Sequence, residues 1–380
     1  MKCITNGKIL LKDGILEGKS LLFEDKIVGF ADQIPADAQV IDANGGWISP
    51  GMMDLHCHGI MGWDASHADL DELRHMSDQM VRWGVTAWLP TTMTLAWPDL
   101  ENCFTAIRAA KNLSNGGDWQ GAHVLGAHAE GPFISPKRKG AQAESCIQQP
   151  KVDKVSPWAD VIRLMTVAPE VDGALNFIRE ACKLGIVVSM GHTDAGTEAA
   201  LAGIDAGVRH ATHTFNAMPP LNHREPGALG VALADDRVYC ELICDTFHVH
   251  PLLFGVMARL KGDHLLLITD AIRVSGLPDG IYDMAGEKVK VEGIRCRFPD
   301  GTIAGSTLTM DRAVRNFRRY TSLPLWQIVN MASLNPARAI GVDDRKGALE
   351  PGMDADILIA DADFNVRATF VNGRQVFQAK

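Results

Sequence analysis

Eight short apolar runs alternate with helix-like stretches through the middle of this 380-residue chain, and that alternation limits its fold more than any other feature. The runs are ISPGMMDLHCHG, GVTAWLPTT, HVLGAHAEGP, VIRLMTVAPE, GIVVSMGHT, HATHTFNAM, VYCELICD and HLLLITDA. Between and after them lie helix-like segments at 68–83, 98–113, 171–184, 195–206, 251–261 and 307–320. Apolar strands alternating with helices imply a parallel α/β architecture, and eight of them predict a (β/α)8 TIM-like barrel over residues 51–344. A doubly wound sheet is the competing reading, but no G-x-G-x-x-G follows a strand and no phosphate-binding P-loop occurs.

The ends of the chain differ from the middle. Residues 1–50 and 345–380 are rich in β-type runs punctuated by Asn6-Gly7, Asp13-Gly14, Asn44-Gly45 and Asn372-Gly373, which mark tight turns. Two such ends bracketing a barrel predict that the termini meet in one small sheet domain.

Composition excludes several classes of function. A formal charge of −9 argues against a nucleic-acid or membrane-surface binder, which would present a basic face. The first residues carry scattered charges and no apolar core of a secretory signal, and no stretch reaches the ~18 apolar residues of a membrane span. The eight cysteines form no C-x-x-C pair, so reduced thiols in a cytoplasmic protein are expected.

The chemistry sits where the runs end. The first closes on His56-x-His58, the third on Glu130, the fifth on His192, the sixth on His213 and the eighth on Asp270. Singly, each has an ordinary explanation. With 13 histidines, chance supplies roughly 0.4 His-x-His pairs, and a second pair, His248 and His250, does occur. Glu130 could cap a turn and Asp270 a helix. In a parallel barrel, however, all C-terminal strand ends open on one face, where catalytic groups collect. A divalent cation would satisfy all six side chains together. Imidazoles with carboxylates suit Zn²⁺ or Fe²⁺, and the set lacks the cysteine spacing of a closed structural zinc site. Such a site activates water, and Asp270 is the candidate proton carrier.

PGMMDLHCHG resembles the first-strand signature of the amidohydrolase superfamily. HAEGPF, MGHTDA, HTFNAMPPLNHREPG, LITDA, IAGSTLTM, NPARAIG and GALEPGMDADILI, in that order, resemble the N-acetylglucosamine-6-phosphate deacetylase family nearly end to end. The resemblance implies that the terminal segments form a β-sandwich and that the barrel hydrolyses the acetamide of N-acetylglucosamine 6-phosphate. It implies Glu130, His192 and His213 as metal ligands and Asp270 as general acid/base. Because His56 and His58 are kept, a second metal bridged by Glu130 is allowed, giving one or two per subunit. The sugar contacts it implies fall at Ala141, Gln142, Asn216, Ala217, His248, Ile303, Ala304 and Gly305. Arg224 matches the phosphate-binding arginine, able in a homodimer to reach the neighbouring site, with His223 nearby. Gln142 stands where some members carry a histidine that assists the substrate carbonyl. The basic stretch Lys137, Arg138 and Lys139 reads as a solvated loop, and His250 as a bystander. Three alternatives stand beside this reading: the galactosamine epimer, a cyclic-amide hydrolase, and a sugar-phosphate-binding protein. The cyclic-amide class usually goes with a lysine on the fourth strand, which VIRLMTVAPE lacks.

Overall fold

The computed structural model describes residues 1–284 and 287–379. Its centre is a parallel barrel of eight strands: β1 (Met52–Cys57), β2 (Val85–Thr92), β3 (Ala127–Glu130), β4 (Ile162–Val167), β5 (Val187–Met190), β6 (His210–Ala211), β7 (Tyr239–Ile243) and β8 (Leu265–Ile268). Each pairs in parallel with the next, from β1–β2 through β7–β8. Closure comes just past β8. A bridge joins Cys57 to Ala271, the Asp270 N–H donates to the His56 carbonyl at 2.8 Å, and the His58 N–H donates to Ala271 at 2.8 Å. Every residue of β1 and β2 is buried, as expected for strands covered on both faces, whose sequences run apolar without alternation.

All six expected helices are present, at Leu70–Met80, Trp97–Ser114, Ala174–Lys183, Thr197–Ala206, Leu252–Lys261 and Met310–Tyr320. The first starts where Asp69 caps the backbone N–H groups of Asp71 and Glu72. Besides the single turn Val152–Val155, the sequence reading missed Gly227–Ala234, Leu325–Ala332 and Leu334–Ala339. The first of these, GALGVALA, has no polar face and therefore no 3.6-residue period to detect. Also unforeseen is a three-stranded antiparallel sheet, Gly280–Met284, Glu287–Glu292 and Arg295–Arg297, inserted after β8. Its inner residues Val289, Val291 and Cys296 pack on Ile272, Val274 and Ala304. The run HATHTFNAM forms only two residues of strand, because His213, Phe215 and Ala217 adopt positive φ and turn the chain.

The terminal segments form two facing sheets. One has four strands in the order Ile27–Ala31, Ser20–Phe23, Lys2–Thr5, Gln39–Asp42. The other has six: Arg374–Gln378, Val366–Val371, Ile357–Ala360, Trp47–Pro50, Lys8–Leu11 and Gly14–Leu16. Ile4, Leu21 and Phe23 of the first meet Ile9, Ile48, Ile357 and Phe370 of the second in a separate core, with Phe23 edge-on to Phe370 at 5.6 Å. The last hairpin turns at Asn372-Gly373, both left-handed (φ 45° and 68°), the geometry that favours Asn-Gly.

A buried ion cluster ties these sheets to the barrel. Lys346, 1% exposed, bonds Asp356 at 2.6 Å and Asp354 at 2.9 Å, and its ammonium lies 3.3 Å from Nδ1 of His123, which leads into β3. Burial, and then the Lys346 charge, push the His123 pKa down to about 4, so the imidazole stays neutral and accepts from the ammonium. Replacing Lys346 with Met takes the cation from the nearly buried Asp356 and leaves Asp354 to Lys26 and Arg345. The expected loss is about 3–5 kcal/mol of unfolding free energy in a urea titration; a loss under 1 kcal/mol would show that the cluster does not hold the two parts together.

Candidate active site and metal centre

The C-terminal ends of the barrel strands bring the six expected side chains to one point. Glu130, at the end of β3, is the hub. Its Oε1 lies 3.2 Å from His56 Nε2, 3.3 Å from His192 Nε2 and 3.1 Å from His213 Nε2, and its Oε2 lies 3.3 Å from His58 Nε2. Asp270 Oδ1 stands 3.5 Å from His56 Nε2 and 3.4 Å from His58 Nε2. Two groups of ligand type share Glu130: His56 and His58 on one side, His192 and His213 on the other. His192, His213 and Asp270 leave their strands at φ 46°, 29° and 49°, a left-handed conformation that His and Asp tolerate better than most side chains.

The outer ring nitrogens show what the inner ones must do. His58 Nδ1 donates to the Thr91 carbonyl at 3.1 Å, His192 Nδ1 to the Arg138 carbonyl at 2.9 Å, and His56 Nδ1 to Glu241 at 3.0 Å. Neutral rings with Nδ1 protonated present bare Nε2 lone pairs inward, and these face one another and two carboxylates. His56 Nε2 and His58 Nε2 are 3.2 Å apart, and His192 Nε2 and His213 Nε2 are 3.1 Å apart. Acceptors crowded against acceptors repel unless something positive lies between them, and a divalent cation fits this donor set. Without one, the carboxylates draw protons in. Burial works against a charged His58, yet the hydrogen bonds it can donate to the Asp270 and Glu130 carboxylates raise its pKa to about 9.

The walls of the cavity match the remaining expectations, with one exception. A space of about 280 Å³ is lined by Ala141, Gln142, Asn216, Ala217, His248, Ile303, Ala304 and Gly305 beside the metal-type residues. His248 Nδ1 bonds Asp245 at 2.6 Å; burial opposes its protonation, but that carboxylate outweighs it and raises the pKa. Arg224 is the exception. It lies outside the wall, within the exposed stretch 220–225. His223 is exposed beside it, and His250 stays exposed, outside the wall. Lys137 and Arg138 pair with Asp194 at 3.2 and 2.8 Å, away from the centre. Gln142 is fully engaged: its amide donates to Glu130 and its carbonyl accepts from the Thr94 N–H at 2.6 Å.

Sequence reasoning missed the layer beneath. Asp54, buried on β1, accepts from Thr269 Oγ1 at 2.6 Å and from the His56 N–H at 3.2 Å, so it joins β1 to β8 directly below Asp270. Burial raises its pKa to about 6. His128 Nε2 meets Thr166 Oγ1 at 2.8 Å, and Thr166 continues to Thr212 at 2.8 Å. Glu241 holds His56 from β7. A signal for them existed: Asp54 and His128 lie two residues before His56 and Glu130, hence on the same strand face, and Glu241 is a lone charge within an apolar run.

A closed parallel barrel with a bridging carboxylate and paired histidines at its C-terminal mouth defines a metal-hydrolase class of site. The amidohydrolase family model matches residues 47–376, and the chain belongs to that family. N-acetylglucosamine-6-phosphate deacetylase of Bacillus subtilis is 37% identical over 99% of this chain and 94% of its own length. N-acetylgalactosamine-6-phosphate deacetylase of Escherichia coli O157:H7 is 35% identical over 97% of each. Among solved structures, N-acetylglucosamine-6-phosphate deacetylase from Pasteurella multocida superposes with a TM-score of 0.92 at 31% identity, covering 98% of this chain and 99% of that one. A mutant of the Mycobacterium smegmatis deacetylase in complex with N-acetyl-D-glucosamine-6-phosphate gives 0.90 at 30% identity, covering 99% of each.

Because protons and a cation compete for the same inner nitrogens, metal uptake should release protons and weaken as pH falls. Calorimetric titration of metal-free protein with Zn²⁺ in two buffers of different ionisation enthalpy checks this. Buffer-independent heats would contradict it.

Proposed function

We propose that the protein hydrolyses the acetamide of N-acetylglucosamine 6-phosphate to glucosamine 6-phosphate and acetate. The observation carrying this reading is the convergence of Glu130, four imidazoles and Asp270 on one cavity that also presents His248. Similarity to relatives bearing that activity supports the choice of substrate. The catalytic unit is residues 51–344, with 1–50 and 345–380 as its sandwich support. Glu130, His192 and His213 would hold one Zn²⁺ or Fe²⁺, and His56 and His58 with Glu130 would hold a second. When bound, such a cation polarises the acetamide oxygen and lowers the pKa of water toward 7.

The protein's own groups do the rest. Asp270, 9% exposed, reaches the cavity while its Oδ1 stays beside His56 and His58. It accepts the proton of the attacking water and returns it to the departing amine. Asn216, Ala217, His248 and the Ile303–Gly305 run orient the sugar. With both ends bonded within the protein, Gln142 fixes Glu130 and leaves the substrate carbonyl to the cation. Arg224, projecting from the exposed stretch, completes the phosphate site of the partner subunit in a homodimer, where its fork suits a phosphate. Eight free cysteines, six of them buried, fit a cytoplasmic setting. The similarity to an N-acetylgalactosamine-6-phosphate deacetylase makes that epimer the second reading.

Acetate release from both 6-phosphates and from the unphosphorylated sugar tests the substrate, with elemental analysis of the same preparation. Binding without acetate release would leave a sugar-phosphate-binding protein instead. Asp270→Asn should retain metal and lose at least about 10²–10⁴-fold in kcat; a metal-replete variant with normal turnover removes Asp270 from its role. Arg224→Ala should raise KM for the phosphorylated sugar well above any change for the unphosphorylated one. Equal changes for both would take Arg224 out of the phosphate site.

A further inference from the structure

Glu241 is wholly buried on β7, a strand that contributes no side chain to the cavity wall. Burying a carboxylate there is costly unless its oxygens are well used. One oxygen carries two bonds: Oε2 accepts from His56 Nδ1 at 3.0 Å and from the backbone N–H of His213 at 2.9 Å. The other, Oε1, lies 3.4 Å from His210 Nδ1. The two bonds reach opposite halves of the centre. His56 groups with His58, and His213 with His192, and both groups include Glu130.

We infer that Glu241 is a positioning residue that sets the ring orientation of His56 and the backbone placement of His213 together, so that both halves of the centre bind metal through one buried carboxylate. The physical basis is twofold. A carboxylate behind the outer nitrogen of a ligating imidazole fixes its tautomer and raises the basicity of the inner nitrogen. The shared oxygen also fixes the separation between β1 and the turn after β6, hence between two ligands held by different strands. The inference rests on the proposed metal centre but is independent of the substrate.

Zn²⁺ affinity, measured by competition with a chromogenic chelator on protein whose fold is verified by circular dichroism, provides the test. Glu241→Gln keeps the shape and one acceptor oxygen while removing the charge, and should weaken Zn²⁺ binding roughly 10–100-fold. Glu241→Ala should weaken it further; if that variant does not fold, the Gln variant carries the test alone. Combination with His56→Ala separates positioning from general support. The loss caused by Glu241→Gln should shrink by more than half once His56 is gone, and an undiminished loss in that background would overturn the assignment. So would wild-type affinity in folded Glu241→Gln. Wild-type protein that binds no divalent cation would sink the metal centre along with this inference.

Discussion

Crowding of like-signed lone pairs around Glu130 is the constraint to which the upper half of the barrel answers. Nitrogens His56 Nε2, His58 Nε2, His192 Nε2 and His213 Nε2 all lie within 3.3 Å of its carboxylate. No set of neutral imidazoles with committed outer protons is comfortable in that arrangement. The fold therefore has to hold the rings against their mutual repulsion, and for His58, His192 and His56 it does so from behind, with Thr91, Arg138 and Glu241 at the outer nitrogens. Rigid strands supply the backing and turns supply the reach. His192, His213 and Asp270 each sit two residues beyond a strand, in a left-handed conformation that bends the chain sharply at the mouth.

The amino-acid pattern makes the mouth legible and the floor much less so. The metal-type side chains fall at or just past strand ends, where an apolar run stops at a His, Glu or Asp, and that transition is visible without coordinates. The floor residues Asp54, His128 and Glu241 lie inside the runs, where a polar residue is easily read as noise in a hydrophobic segment. Only period-two alternation from a candidate ligand singles out Asp54 and His128, and Glu241 has no such candidate on its own strand to count from. Arg224 is a different case. It shares a quoted motif with Asn216, yet seven residues of turn and loop carry it out to the exposed stretch 220–225.

Legibility of the fold follows the same logic. Barrel strands covered on both faces declare themselves as continuous apolar runs, and amphipathic helices by their stripe. Gly227–Ala234 has no stripe, and the inserted sheet after β8 is short, half-exposed and rich in charge, so neither produces a period strong enough to notice. The insertion nevertheless supplies a wall. Arg297 pairs with Ile303, and the Ala304 N–H donates to the Cys296 carbonyl at 3.1 Å, while the Ser306 N–H donates to the Asp270 carbonyl at 2.9 Å, so the Ile303–Gly305 edge of the cavity is strung between that sheet and the end of the barrel.

The interleaving of the terminal strands bears on how the chain is made. Strand Trp47–Pro50 pairs on one side with Lys8–Leu11, but its other edge waits for Ile357–Ala360, some three hundred residues later. At typical synthesis speeds of 5–20 residues per second, that edge stands open for roughly 15–60 s on the ribosome. An unpaired strand of this kind invites association with a neighbouring nascent chain. Completion of the molecule is therefore a late event, with the final hairpin acting as the clasp that shuts a structure begun with its first ten residues.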